Sequence, residues 1–241
     1  MTVSATTKPT LVMLPGHLCT ARLWNDVIPL LSPVADCLPL PLDKGSSMRE
    51  LAEDVLVRSP ARFSLLGFSM GGHVAMEIMR LAPERVERLA LLGTRADVDT
   101  EARMRSREAD LERVRLHGLD ALIPELPARW MNAAHAADTA LCAVLADMVR
   151  AVGKRVQGTQ QQALMTRPDS RASLAAIPCP TLFLCGREDI PNPVSTQMEM
   201  HRLVAASCLK VIEDSGHLVP IEQPHALGRA LAEWLVQEEA R

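Results

Sequence analysis

The chain has 241 residues and a net charge of −3, with 48% hydrophobic and 23% charged side chains. That balance suits one globular α/β domain with a full core and excludes an intrinsically disordered chain. No apolar run approaches the ~20 residues that span a bilayer. The mildly acidic charge argues against a nucleic-acid partner, and the first residues lack the basic-then-apolar pattern of a secretory leader.

Short apolar runs then alternate with helical periodicities. Residues 11–14 read as a buried strand stopped by Pro15-Gly16, residues 22–31 as a helix, and residues 37–42 as a weaker strand marked by Pro39 and Pro41. Residues 48–57 are helical, with Leu51 and Val55 on one face. Residues 63–66 form a strand ended by Gly67, and residues 70–81 a helix followed by Pro83. A strand at 89–92 ends at Gly93; strands at 181–185 and 208–212 and a closing helix at 227–236 complete the pattern. This rhythm predicts βαβ units, a mainly parallel sheet and helices on both faces. Between the fourth and fifth strands the pattern is helical, rich in Arg, Glu, Ala and Leu, and nearly charge-balanced. Residues 1–93 and 172–241 are therefore expected to form the core, and residues 94–171 a helical cap inserted in the same domain, since long insertions are often functional lids.

The strongest chemical signal is Gly67-Phe68-Ser69-Met70-Gly71, a G-x-S-x-G pattern between an apolar strand and a helix. A nucleophile elbow needs that setting: small neighbours permit a strained turn that exposes the serine at a helix N-terminus. No Gly-Lys-[Ser/Thr] follows, as a phosphate loop would require. A serine at its ordinary pKa needs a base, and the base an orienting acid. His217, in Asp214-Ser215-Gly216-His217 after the strand at 208–212, is the favoured base. Asp189, in Gly186-Arg187-Glu188-Asp189 after the strand at 181–185, is the favoured acid, with Asp214 and Glu188 as competitors. His225, His201, His73, His117 and His135 have weaker settings. Acyl transfer also needs oxyanion donors: the backbone N–H of Met70, after the nucleophile, and that of His17, in the turn Leu14-Pro15-Gly16-His17-Leu18, with Leu18 as a fallback. Leu18 and Cys19 are expected to line the substrate pocket.

The six cysteines are scattered with no close pair, unlike a zinc site, and read as reduced thiols in a cytoplasmic protein. The predicted chemistry needs no metal and no cofactor. Arg150, Lys154, Arg155, Arg167 and Arg171 face only Asp169 in their stretch of the insertion. They are a solvated helix face or a patch for a carboxylate-bearing substrate or an acidic carrier protein.

Leu-Pro-Gly-His near the start, Gly-Phe-Ser-Met-Gly-Gly, Gly-Arg-Glu-Asp and Gly-His-Leu-Val-Pro-Ile-Glu-Gln-Pro, in this order, resemble the α/β-hydrolase superfamily. The chain order Ser69, Asp189, His217 matches that family's triad. The resemblance implies an α/β-hydrolase fold, an eight-stranded sheet in full-length relatives with the two leading strands missing here, and a small-molecule ester or lactone as substrate. Small size and a helical cap look similar to 3-oxoadipate enol-lactonases and carrier-protein methyl esterases. Alternatives on the same fold are a non-hydrolytic lyase or acyltransferase and a silent binding protein.

Overall fold

The computed structural model describes residues 8–237. Their apolar runs become strands: β1 (Thr10–Leu14), β2 (Asp36–Pro39), β3 (Phe63–Phe68), β4 (Val86–Leu92), β5 (Thr181–Gly186) and β6 (Ser207–Ile212). They form one six-stranded sheet in the order β2-β1-β3-β4-β5-β6, with every neighbouring pair parallel. β3 and β5 are buried at all six positions, as central strands covered on both faces must be. The edge strand β2 is partly exposed and ends at Pro39, which cannot extend the ladder.

Alternation along the strands feeds two cores. Leu11, Met13, Leu66, Phe68, Leu182 and Leu184 face one side, where the closing helix (Pro224–Val236) packs with Leu227, Leu231 and Trp234. Val12, Leu14, Leu65, Leu89, Leu91 and Phe183 face the other. There they meet α1 (Met48–Arg58), α2 (Met70–Leu81) and Met200 of the helix Val194–Leu203.

One expected element differs. Residues 22–31 split into a 3-10 turn at Ala21–Trp24 and a short helix at Ile28–Leu31. Pro29 explains the break, since it has no N–H for the Asn25 carbonyl and its ring would collide with that turn.

The segment between β4 and β5 is helical throughout its main elements. It holds α3 (Glu101–His117), the short α4 (Leu126–Trp130) and the long α5 (Thr139–Met165). Gly153, at φ 76°, kinks α5. The chain leaves β1, β3, β4, β5 and β6 at the same sheet edge, so the turns after these strands converge where open α/β sheets hold ligands. No helix among the described residues is long and apolar enough to cross a membrane.

Candidate active site

Ser69 links β3 to α2 with φ 51° and ψ −111°, a conformation costing a non-glycine residue about 1–3 kcal/mol. Packing holds it there. A Cβ on Gly67 would run into the Gly71 backbone, and one on Gly71 into the Leu14 carbonyl. The Ser69 N–H donates to Leu92 O (2.9 Å), and Thr94 Oγ1 donates to Ser69 O (2.8 Å). The turn is thus bonded to the end of β4, and Ser69 is left half-buried at the start of α2.

His217 closes a hydrogen-bonded line. Its Nε2 accepts from Ser69 Oγ at 2.9 Å, and its Nδ1–H donates to Asp189 Oδ2 at 2.8 Å. Asp189 is buried, and its Oδ1 accepts the Asn192 N–H at 2.8 Å. Asn192 Nδ2 donates to Gly93 O at 2.8 Å, and a Cβ on Gly93 would stand 3.0 Å from Asp189 Oδ2 and 3.3 Å from His217 Nδ1. The His217 ring lies 4.9 Å from Phe68, centroid to centroid. The competing acids are elsewhere: Glu188 and Asp214 are both exposed, and Glu188 reaches only Asn132. Of the other histidines, His117 and His225 are exposed, His201 bonds Ser207, and His73 is buried.

The insertion grips this line. Trp130 O, at the end of α4, accepts the N–H groups of His217 (2.7 Å) and Leu218 (3.2 Å). The buried Glu222 Oε2 accepts from Gly216 N (2.9 Å) and Asn132 N (2.9 Å) and lies 3.1 Å from His135 Nδ1. Glu222, Gly93, Thr94, Asn192 and Trp130 carried no role at the site in the sequence reading. Only Glu222 lay inside a quoted motif, and its partners Asn132 and His135 are far from it along the chain.

Ser69, His217 and Met70 open on one cavity of about 420 Å³, lined also by His17, Leu18 and Cys19. The His17 turn is closed by Cys19 N–H to Gly16 O (3.2 Å), and Leu18 sits at φ 59°. Gln160 of α5 fastens the turn. Its Oε1 accepts from Leu18 N (3.2 Å) and His17 Nδ1–H (3.0 Å), while its Nε2 donates to Leu42 O (3.0 Å). The Leu18 N–H is therefore engaged by Gln160, while no hydrogen bond among the described residues uses the His17 N–H.

The sequence pattern of the alpha/beta hydrolase family matches residues 11–230. The chain belongs to that family. A relative in Photobacterium profundum, a pimeloyl-(acyl-carrier protein) methyl ester esterase, is 26% identical over 250 residues, 93% of this chain and 94% of its own. A thermophilic esterase structure from Thermogutta terrifontis superposes with TM-score 0.86 at 26% identity, covering 96% of this chain and 90% of that one. The enol-lactonase from Burkholderia xenovorans LB400 shares the fold, with TM-score 0.87 at 21% identity over 96% of this chain and 92% of that one.

In this α/β-hydrolase three titratable groups of the cavity lining, His17, His73 and Cys19, are held in their neutral forms. Burial, with the Arg107 charge, lowers His17 to about 3 despite its bond to Gln160. Burial, then Arg167 and Arg107, push His73 well down. Burial raises the Cys19 thiol to about 12, so it stays protonated and fills space beside the serine. Arg95, Arg103, Arg107 and Arg129 also line the cavity. The basic stretch read from the sequence lies elsewhere. Arg150 pairs with Asp120, Arg171 with Asp169, Lys154 and Arg155 are exposed, and Arg167 is buried against Asp99 at 2.8 Å.

Proposed function

We propose that this chain is a serine hydrolase that cleaves a carboxylic ester or lactone through an acyl-enzyme on Ser69. One observation carries the reading: the unbroken line from Ser69 Oγ through His217 to the buried Asp189, with Ser69 and His217 lining a cavity. Ser69 attacks the carbonyl while His217 Nε2 takes its proton. The Nδ1–H bond to Asp189 holds the imidazole in the correct tautomer and stabilises its cation. The N–H groups of His17 and Met70 receive the developing oxyanion, helped by the N-terminus of α2. His217 then protonates the leaving oxygen and activates the water that releases the acid.

Residues 94–171 act as the cap: they supply walls of the cavity and hold the His217 loop, directly through Trp130 O and, through Asn132, by way of Glu222 of the core. The esterase and enol-lactonase relatives support an ester-type bond as substrate. An acyl group on an acidic carrier protein is compatible with the named activity of the Photobacterium relative.

The test is Ser69→Ala. Turnover of activated esters should fall by at least ~10³-fold, and labelling by a fluorophosphonate probe should disappear. Near-wild-type turnover in that variant overturns the reading.

A further inference from the structure

Five guanidinium groups gather on the cap side of the cavity, and they do not find enough carboxylates. Arg95, bonded bidentately to Asp97, Arg103, Arg107 and Arg129 line it, and Arg167 stands behind them. Asp99 takes Arg107 and Arg167, and Asp110 takes Arg129 at 3.2 Å. Three carboxylates therefore face five cations. Arg103 is the group left over: its Nη2 donates to a neutral acceptor, Pro191 O, at 3.1 Å, and no carboxylate of the described residues pairs with it. The rest of the wall is largely apolar, with Leu126, Trp130, Leu164 and Ile190. In such a partly desolvated pocket an excess of positive charge is costly unless a ligand completes it.

The cations are also tied to the hydrogen-bonded line. Arg95 follows Thr94, whose hydroxyl holds Ser69 O. Arg129 precedes Trp130, whose carbonyl holds the His217 and Leu218 N–H groups. Arg103 is bonded to Pro191, next to the Asn192 N–H that caps Asp189. A guanidinium fork fits a carboxylate in two parallel bonds, and the Arg103 fork is tethered to Pro191 O beside the Asp189 loop.

We infer that the ester or lactone cleaved at Ser69 carries a second, free carboxylate, and that Arg103, flanked by Arg95, Arg107 and Arg129, binds it inside the cavity. The inference rests on the hydrolase reading for its reaction, and on the arginine wall for its specificity. Burial first, and then the charges of this wall with only Asp99 opposing at His73, disfavour protonation of His17 and His73, so neither imidazole competes for an anion as a further cation. The recognition site is inside the cavity and not on the exposed face of α5, so what it takes is a carboxylate on the substrate itself and not the surface of an acidic protein.

Two esters separate the cases: 4-nitrophenyl hydrogen glutarate, with its carboxylate free, and the neutral 4-nitrophenyl methyl glutarate. For the wild type, kcat/KM should favour the charged ester at least tenfold, less at high salt. Arg103→Gln should cut that ratio about tenfold, mostly through KM, and Arg103→Lys should keep part of it. Arg105→Gln, which removes an exposed neighbour paired with Glu101, should leave the ratio alone. Arg129→Gln gives the same reading from α4 should Arg103→Gln fail to fold. A wild-type ratio near one, or a ratio insensitive to both cavity variants, overturns the proposal.

Calorimetric binding of glutarate against its neutral diamide to Ser69→Ala protein makes the two readings independent. Arg103-dependent glutarate binding without turnover of either ester would retain the subsite and sink the hydrolase. Ester turnover without charge preference or glutarate binding would do the reverse, and failure of both assays overturns both.

Discussion

The serine side and the arginine side of the cavity are held by different forces. Around Ser69 the main chain does the positioning: β3 delivers the turn, Gly67 and Gly71 leave no room for another conformation, and Leu92 O and Thr94 lock it. On the arginine side the positioning is by long charged side chains: Arg95, Arg107, Arg129 and Arg167 are shared among three aspartates, and Arg103 is tied to Pro191 O. Steric exclusion by backbone is short-ranged and nearly all-or-none, so it suits atoms that must stay within a few tenths of an ångström of a reaction path. Ion pairs are softer and depend on pH and salt, so they suit a wall that has to adapt to a substrate. Substitutions on the serine side should therefore abolish turnover, and those on the arginine side should retune it.

The largest effect tests the acid. Asp189→Asn should lower kcat by roughly 10³–10⁴-fold with little change in folding, because the amide can stabilise the wrong imidazole tautomer. Asp214→Asn, at an exposed position, should stay within about twofold of wild type. If the second variant collapses activity and the first does not, the line through His217 Nδ1 is not the working one.

The same contrast governs what the sequence revealed. Ser69, Asp189 and His217 are readable because each sits in a short motif directly after an apolar strand, and a parallel sheet brings such turns to one edge. Gly67 is readable because its requirement is local, a clash with the Gly71 backbone, whereas Gly71 is readable only through the motif, since what it makes room for is the distant Leu14 carbonyl. The arginine wall is not. Arg167 looked like part of a surface patch with Arg150 and Arg171, yet it is drawn inside by Asp99, 68 residues earlier in the chain. Arg103 and Arg129 come from helices whose charge pattern does not reveal a buried face, since α3 is polar nearly all round with only Val114 fully buried. Pairings of this range are set by how the helices dock, and no spacing encodes them. The split of residues 22–31 at Pro29 is the opposite case, a local signal outweighed by apolar periodicity.

Gln160 joins the two walls, and it gives an intermediate effect. It belongs to α5 but holds the strained Leu18 turn and the Leu42 carbonyl. Gln160→Ala would orphan a buried donor and a buried acceptor, at about 1–3 kcal/mol each in stability. If the turn positions the His17 N–H for the oxyanion, kcat should also fall about tenfold with KM little changed. Denaturant unfolding and steady-state kinetics on the same preparation separate the two. A lower midpoint with unaltered kcat would make Gln160 a structural strut and nothing more.

The smallest effect is on the arginine side. Burial alone would raise the Asp99 pKa, but hydrogen bonds from Arg167 and Arg107, and their charges, overcome it and hold the group at about 2, below its ordinary 3.8. A carboxyl depressed in the folded state stabilises above its unfolded pKa and loses that contribution as pH falls through the folded one. The shift corresponds to about 2 kcal/mol at pH 7, lost between about pH 4 and pH 2. Asp99→Asn should therefore unfold at lower urea than wild type at pH 7, with the gap narrowing below pH 4. A gap that stays constant with pH would mean the cost is packing and not charge. The variant also frees Arg107 from its bond to Asp99 at the cavity wall. If that wall is short of negative charge, removing one more carboxylate should raise the preference for the charged glutarate ester severalfold while weakening the fold, so stability and selectivity would move in opposite directions from a single substitution.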